Sequence, residues 1–333
     1  MKKSIALVTG GAGFIGAHVV NELIKSDHKV LVLDDLSGGF KDNVNPLAFF
    51  VRGSVTDKKL ISQIFSSHKI SYVYHLAAYA AEGLSHFIKN FNYTNNLIGS
   101  VNLINDSVKH NVKCFIFTSS IAVYGANQLP MREDMIPLPE DSYGIAKYAV
   151  EQELRATYRM FGLPYVIFRP HNVYGEYQNI GDKYRNVVGI FMNQLMQKKE
   201  LTVFGDGKQT RAFSYIADVA KYIANVVDYP RAYNQVFNIG ADKEFTINQL
   251  TKQVMLAMGL ESKIKYLPGR NEAKYAYADH AKAQKVFSIN SYTPLEEGIS
   301  RMATWAKKVG SRKTKKFKNI EIYKNLPKAW LYE

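Results

Sequence analysis

The stretch "TGGAGFIG", Thr9 to Gly16, limits what this chain can fold into more than any other. It lies between an apolar, β-branched run, "SIALVTG", and a segment with helical apolar spacing, "IGAHVVNELIKSD", with a second apolar run, "KVLVLDD", beyond that. Strand, glycine turn, helix and strand make a βαβ unit. Gly10, Gly13 and Gly16 allow a tight turn and let a pyrophosphate approach the start of the helix, where free N–H groups and the helix dipole favour negative charge. Asp34 ends the second run 24 residues after Gly10. A carboxylate there accepts hydrogen bonds from an adenosine ribose diol and repels a 2′-phosphate, so the spacing predicts NAD in preference to NADP.

Further short apolar runs, "ISYVYHLAA", "CFIFTSS" and "PYVIFRP", are separated by helical stretches. Runs apolar on both sides are what strands covered on both faces require, which predicts a Rossmann-type doubly wound parallel sheet, class α/β. After Arg169 the alternation loosens into "HNVYGEYQNIGDKYRNVV", too long for a plain connection and read as a functional loop. From about Phe237 the pattern is mixed, as in a smaller α/β substrate domain. The expected division gives the NAD-binding domain 1–172 and about 212–237, and the smaller domain about 173–211 and 238–333.

Composition narrows the function classes. The 333 residues are 47% hydrophobic and 22% charged, an ordinary globular balance that can bury a sizeable core. The apolar stretch near the start breaks at Gly10-Gly11, and no run is long enough to span a bilayer, so a cytoplasmic protein is expected. The single Cys114 sits within an apolar strand and excludes an internal disulfide or dithiol chemistry. The histidines show no metal-ligand spacing, so no metal is expected. A formal charge of +14 favours anionic partners, but seven Lys or Arg and no acid fall within 307–318. No aromatics alternate with those bases, so that segment reads as a solvated bridge and not a nucleic-acid site. The apolar residues beyond it, Ile320, Ile322, Leu326, Trp330 and Leu331, are expected to dock back on the body.

Tyr143 and Lys147, in "SYGIAKYAVE", stand one helical turn apart and share a face. Alone, that pairing is equally an aromatic and a charge on a solvated helix. With the glycine turn, "FTSSIAVYG" and "YGIAK" in this order, however, the chain resembles the extended short-chain dehydrogenase/reductase family, in particular its nucleotide-sugar epimerases and dehydratases. "NNLIGSVNLI", "RPHNVYG", "GDGKQTRAFSYIADVA" and "PGRNEAKYAYADHAKA" look like later landmarks of the same family. The resemblance implies that Tyr143 is the base, with Lys147 and the nicotinamide charge bringing its phenol into working range, and that Ser120 hydrogen-bonds the same sugar hydroxyl. It implies NAD contacts at Gly10, Gly13, Phe14, Ile15, Gly16, Asp34, Asp35, Ser54, Val55, Leu76, Ala77, Ala78, Asn96, Ser119, Tyr143, Lys147 and Pro170. Ser54 stands where the family usually has Asp. On the substrate side the same likeness implies Ser120, Tyr143, Asn172, Val188, Val203, Phe204, Arg211, Arg270 and Ala276, the arginines meeting a diphosphate that is expected to be uridine-linked.

All such enzymes pass a hydride from C4 of the sugar to NAD, and further groups decide the fate of the ketone. The dehydratases carry an Asp-Glu pair after the catalytic serine or threonine, where this chain has Ile121 and Ala122. With no acid or base at those positions, return of the hydride to the opposite face remains, which is C4 epimerisation of a UDP-hexose. An acid or base could still arrive from Glu82, His86 or Lys183. Other epimerases, 4-ketoreductases and dehydratases are the nearer alternatives, and a non-catalytic dinucleotide sensor or RNA-associated scaffold the distant one. Ala276, three before Asp279, implies a sugar pocket open to N-acetyl groups, whereas a one-residue slip would put Tyr275 or Tyr277 there. A homodimer through the helix carrying Tyr143 and Lys147 is implied as well.

Overall fold

A computed structural model describes residues 5–126, 129–269, 275–313 and 317–331. Its centre is a seven-stranded, all-parallel sheet in the order Gln235–Ile239, Tyr165–Pro170, Cys114–Thr118, Ile70–His75, Ile5–Thr9, Lys29–Asp34, Phe49–Arg52. The apolar runs form these strands because both faces are covered: Ala6, Leu7 and Val8 have no exposure, nor do Phe115, Ile116 and Phe117. On one face the helix Phe14–Lys25 packs against Ala217–Asn225. The other face is covered by Lys58–Ser67, Gly99–Lys109 and Ser142–Phe161.

The chain first adds strands outward from Ile5–Thr9, then returns to place Ile70–His75 on that strand's other side. The order reverses there, and helices leaving opposite faces open a crevice at the carboxyl ends of these two strands. The glycine turn occupies that position.

The smaller part is built of short pairs and helices. Thr210–Ala212 lies between Glu244–Thr246 and Tyr275–Ala276, and Leu201–Phe204 pairs with Ile264–Leu267. The helix Ile247–Met258 starts at a capping box formed by Thr246 and Gln249, which satisfies two otherwise orphaned N–H groups. It packs against Leu295–Val309. No described helix is long and apolar enough to cross a membrane.

Candidate active site

A cavity of about 1470 Å³ lies along the crevice. Its cofactor-side wall is mostly backbone. Gly10 has φ +73, and a Cβ there would fall 2.7 Å from Ala77 N; one on Gly16 would fall 2.1 Å from Gly10 O. The turn is therefore pressed against the Leu76–Ala77 strand end and against itself, and only glycine permits it. Gly39 is equally confined, 2.4 Å from Ala12 O, although the glycine motif does not extend to it.

Asp34 ends its strand with its carboxylate accepting from Ala12 N at 3.0 Å and Leu36 N at 2.8 Å. Burial raises its pKa, while the Leu36 and Ala12 N–H groups oppose that rise. Gly13 N–H also bonds the carboxylate, which keeps acceptor capacity for a ribose diol. Gly13, Phe14, Ile15, Asp35, Ser54, Val55, Ala78, Ser119 and Pro170 line the same cavity. Ser54 shares a hydrogen bond with Thr56 Oγ1 at 2.9 Å. Asn96 does not line the wall among the described residues. Its amide is used internally: Oδ1 accepts from Tyr79 N at 2.8 Å, and Nδ2 donates to Asn92 Oδ1 at 2.7 Å. Asn96 thus pins the loop after the fourth strand to the helix beside it.

Ser120, Tyr143 and Lys147 also line this cavity. Asp141 caps the helix Ser142–Phe161, accepting from Tyr143 N at 2.8 Å and Gly144 N at 2.9 Å, which fixes the first turn and so aims Tyr143. Ser120 lies just beyond the strand Cys114–Thr118, and its Oγ accepts from Ala122 N at 3.1 Å. Beneath it, Ser119 Oγ donates to Glu151 at 2.6 Å, and Glu151 is bridged by the fully buried Arg169 at 2.6 and 2.9 Å. Removing either member of that pair would strand a buried charge, at a cost of about 3–5 kcal/mol.

Lys147 reaches back toward the strand end. Its Nζ donates to Thr118 O at 2.7 Å and lies 5.8 Å from the centre of the Tyr143 ring. Burial lowers its pKa to about 7, Glu151 opposing. Burial also pushes the Tyr143 phenol above its ordinary range; the hydrogen bond to Ser120 acts against this, Asp141 and Glu82 add to it, and Arg185 opposes. Sequence reasoning misses Arg185. Its Nε donates to Asp182 at 2.7 Å, its guanidinium lies 4.9 Å from the Tyr79 ring centre, and it lines the cavity. The loop "GDKYRNVV" carries the signal, being long and charged beside the last Rossmann strand.

On the opposite wall, Asn172, Phe204, Arg211 and Ala276 reach the cavity, as do Glu82 and His86. Val188 and Val203 do not: both point into the core, at 2% and 1% exposure. In the strand Leu201–Phe204 side chains alternate, so Val203 faces inward when Phe204 faces the cavity. Of the three consecutive candidates, Ala276 lines the cavity and Tyr275 is exposed. Arg270 lies outside the described residues. Lys183 is off the wall and donates to Trp330 O at 3.5 Å. Ile121 and Ala122 face the cavity beside Ser120 with no titratable group. No cluster of metal-ligating side chains occurs among the described residues.

The glycine cradle, the Asp34 carboxylate and the buried Thr118 Oγ1, unpartnered beside Lys147, suit a dinucleotide along the crevice with its reactive end at Tyr143. These features define a Rossmann-type dehydrogenase/reductase with a Ser-Tyr-Lys site. The chain belongs to the NAD dependent epimerase/dehydratase family, whose profile matches residues 6–240, and NAD is its cofactor. It is 38% identical to the UDP-glucose 4-epimerase of Thermotoga maritima, solved with UDP-glucose, with a TM-score of 0.86 over 92% of this chain and 99% of that one. It is similar to the UDP-N-acetylglucosamine 4-epimerase of Methanobrevibacter ruminantium M1, solved with UDP-N-acetylmuramic acid: 31% identity and TM-score 0.85 over 92% and 98% of the two chains. The UDP-glucose 4-epimerase of Halalkalibacterium halodurans is 30% identical over 318 residues, 90% of this chain and 95% of its own.

Proposed function

We propose that this protein epimerises a UDP-linked hexose at C4, acting on UDP-glucose and UDP-galactose and also on their N-acetyl forms. The observation that carries this reading is the surroundings of Ser120 and Tyr143: a hydroxyl and a phenol face the cavity together, while Ile121 and Ala122 next to them can move no proton. NAD, when bound, supplies a reversible hydride acceptor. Tyr143 takes the proton of the C4 hydroxyl and later gives it back, Ser120 orients that hydroxyl, and Lys147 holds the strand-end carbonyl of Thr118 and the cofactor ribose. Asn172, Arg211 and Arg270 hold the diphosphate, Phe204 meets the base, and the small Ala276 leaves room at the sugar's 2-position.

Glu82 supports a second reading. It lines the cavity and acts electrostatically on Tyr143, so a carboxylate that could remove a proton beside a ketone is present. That reading is a dehydratase. Incubation of the purified protein with each UDP-sugar, without added NAD, and NMR of the products separates the two: epimerisation gives the C4 isomer, elimination a 4-keto-6-deoxy sugar, and no conversion of any of them ends both readings.

We propose further that the chain forms a homodimer through the helix Ser142–Phe161 and its neighbour, where Ile98 and Ile145 are exposed at 51% and 42%. Light scattering of the purified protein measures this directly.

A further inference from the structure

The chain beyond the helix Leu295–Val309 does not trail away. Its described residues are fastened to the body at several points, and several of those from Ile322 onward line the cavity. At the start, Arg312 exchanges hydrogen bonds with Asn193, donating at 2.8 Å and accepting at 2.9 Å, and its guanidinium lies 3.6 Å from the Phe40 ring centre. Phe317 N donates to the Tyr184 hydroxyl at 3.1 Å. Glu321 then accepts from Asn90 N at 2.8 Å and Phe91 N at 2.9 Å, while its own N–H donates to Phe87 O at 2.8 Å. Leu326 and Trp330 are buried in a cluster with Ala81, Leu84, Ile88 and Tyr184, and Trp330 meets the Tyr184 ring edge-on at 5.3 Å. The inner surface of this strap, formed by Ile322, Lys324, Asn325, Pro327, Lys328 and Trp330, lines the same cavity as Tyr143 and Glu82.

We propose that residues 321–330 form the retaining wall of the sugar pocket, keeping the oxidised sugar in place between the two hydride transfers. This rests on the C4-epimerase reading. In the first half-reaction the C4–H bond gives two electrons and hydrogen to NAD, the hydroxyl proton goes to Tyr143, and the sugar becomes a neutral ketone. That ketone must turn over before hydride returns to its other face. Directional bonds to the sugar would hinder the rotation, so retention has to come from enclosure while the diphosphate anchors the far end. The strap supplies enclosure at the required place: it is tied to the loop after Tyr79 and to the Tyr184 loop, the segments that carry Glu82 and Arg185, both of which act electrostatically on Tyr143. A ketone that escapes leaves behind reduced cofactor and a protonated Tyr143, unable to begin another turnover.

The test uses the full chain, a chain ending at Gly310 and the point variant Trp330→Ala, each loaded with stoichiometric NAD and given UDP-galactose. Ketone in the filtrate is trapped with borodeuteride and counted by mass, enzyme-bound NADH is followed by its absorbance, and cofactor content is measured after gel filtration. The full chain should release ketone only rarely per turnover. Both variants should release about tenfold more and accumulate bound NADH, while KM for UDP-galactose moves only a few-fold. Unchanged ketone release from folded Trp330→Ala overturns the proposal even if the shortened chain does not fold. Loss of NAD on gel filtration with unchanged release per loaded enzyme also overturns it, because the strap would then serve the cofactor. Failure of the full chain to convert any UDP-sugar counts instead against the epimerase reading.

Discussion

The two walls of the cavity are built on different plans. The cofactor wall is made of contiguous backbone: the turn around Gly10 to Gly16, the segment from Asp34 to Gly39, Gly53 to Val55 and Leu76 to Ala78, each at the carboxyl end of a parallel strand or directly after one. The substrate wall gathers single side chains from distant places, such as Asn172, Arg185, Phe204, Arg211, Ala276 and Trp330. A backbone wall tolerates almost no added atoms but recognises what every dinucleotide shares. A wall of side chains can be altered one residue at a time, which suits a family that divides by sugar and by reaction.

The proposed catalytic pair, Tyr143 and Lys147, lines this cavity and gives the largest expected effect. Tyr143→Phe removes one oxygen from a capped, rigid helix start, so fold and NAD content should stay intact while kcat falls by about 10²–10⁴-fold. Near-normal turnover in that variant would mean that the reacting groups belong to the substrate wall alone, Glu82 being the first to examine.

Substituting glycines sharpens the comparison directly. Gly16→Ala places a methyl 2.1 Å from Gly10 O, where only backbone can yield, so NAD retention should be lost and stability should fall by several kcal/mol. Gly269 lines the opposite wall, and its added Cβ would have Gly205 Cα at 3.9 Å, ordinary contact. Gly269→Ala should leave melting temperature and NAD content unchanged. Similar losses from both substitutions would erase the distinction.

Acid stability tests whether the two halves are bound into one folding unit. His75, on the cofactor side, bonds Thr9 at 2.7 Å and Ser100 at 2.8 Å; burial lowers its pKa from 6.5 to about 3. His171, on the substrate side of the cavity, stacks on His280 and is lowered by burial to about 3 as well. Both must stay neutral in the fold, so the unfolded chain binds more protons below pH 6.5. The stability from these groups is intact above that pH and is lost as pH falls toward about 3. With both contributing, the slope should be about 3 kcal/mol per pH unit between about pH 6 and pH 4, measurable by denaturant unfolding. His75→Asn and His171→Asn should each flatten it by about half if the halves unfold together.

The same division explains what can be read in advance. The sheet, the glycine turn and Asp34 come from local pattern, because strand, turn and helix are neighbours in sequence, whereas the roles given to Ser120, Tyr143 and Lys147 come only from the family resemblance. The docking of the tail is legible in its apolar residues, and Leu326 and Trp330 are buried as expected; that the tail lines the cavity, and that Arg185 does, escapes such a reading because a charged loop and an apolar tail become a wall only when folded onto residues 79–91. Likeness of motif puts Val203 on the wall, and the alternation of a four-residue strand turns it inward. That Lys147 Nζ also donates to the carbonyl of Thr118 is something no side-chain pattern reveals.

The smallest expected effect is confined to one substrate. Ala276 is in the strand beside Arg211 and is nearly buried, among Val123, Tyr124, Met131 and Ala278, with its methyl on the cavity. Ala276→Tyr adds a ring that this packed corner cannot relieve by local shifts, so the ring must enter the cavity. If the sugar's 2-position lies there, kcat/KM for UDP-N-acetylgalactosamine should drop about tenfold or more while that for UDP-galactose changes only a few-fold, since the hydroxyl needs less room than the acetamide. Equal losses on both substrates would place Ala276 against a part of the ligand that they share. No loss on either would show that this corner yields after all, and that the substrate wall is looser at the sugar than its packing implies.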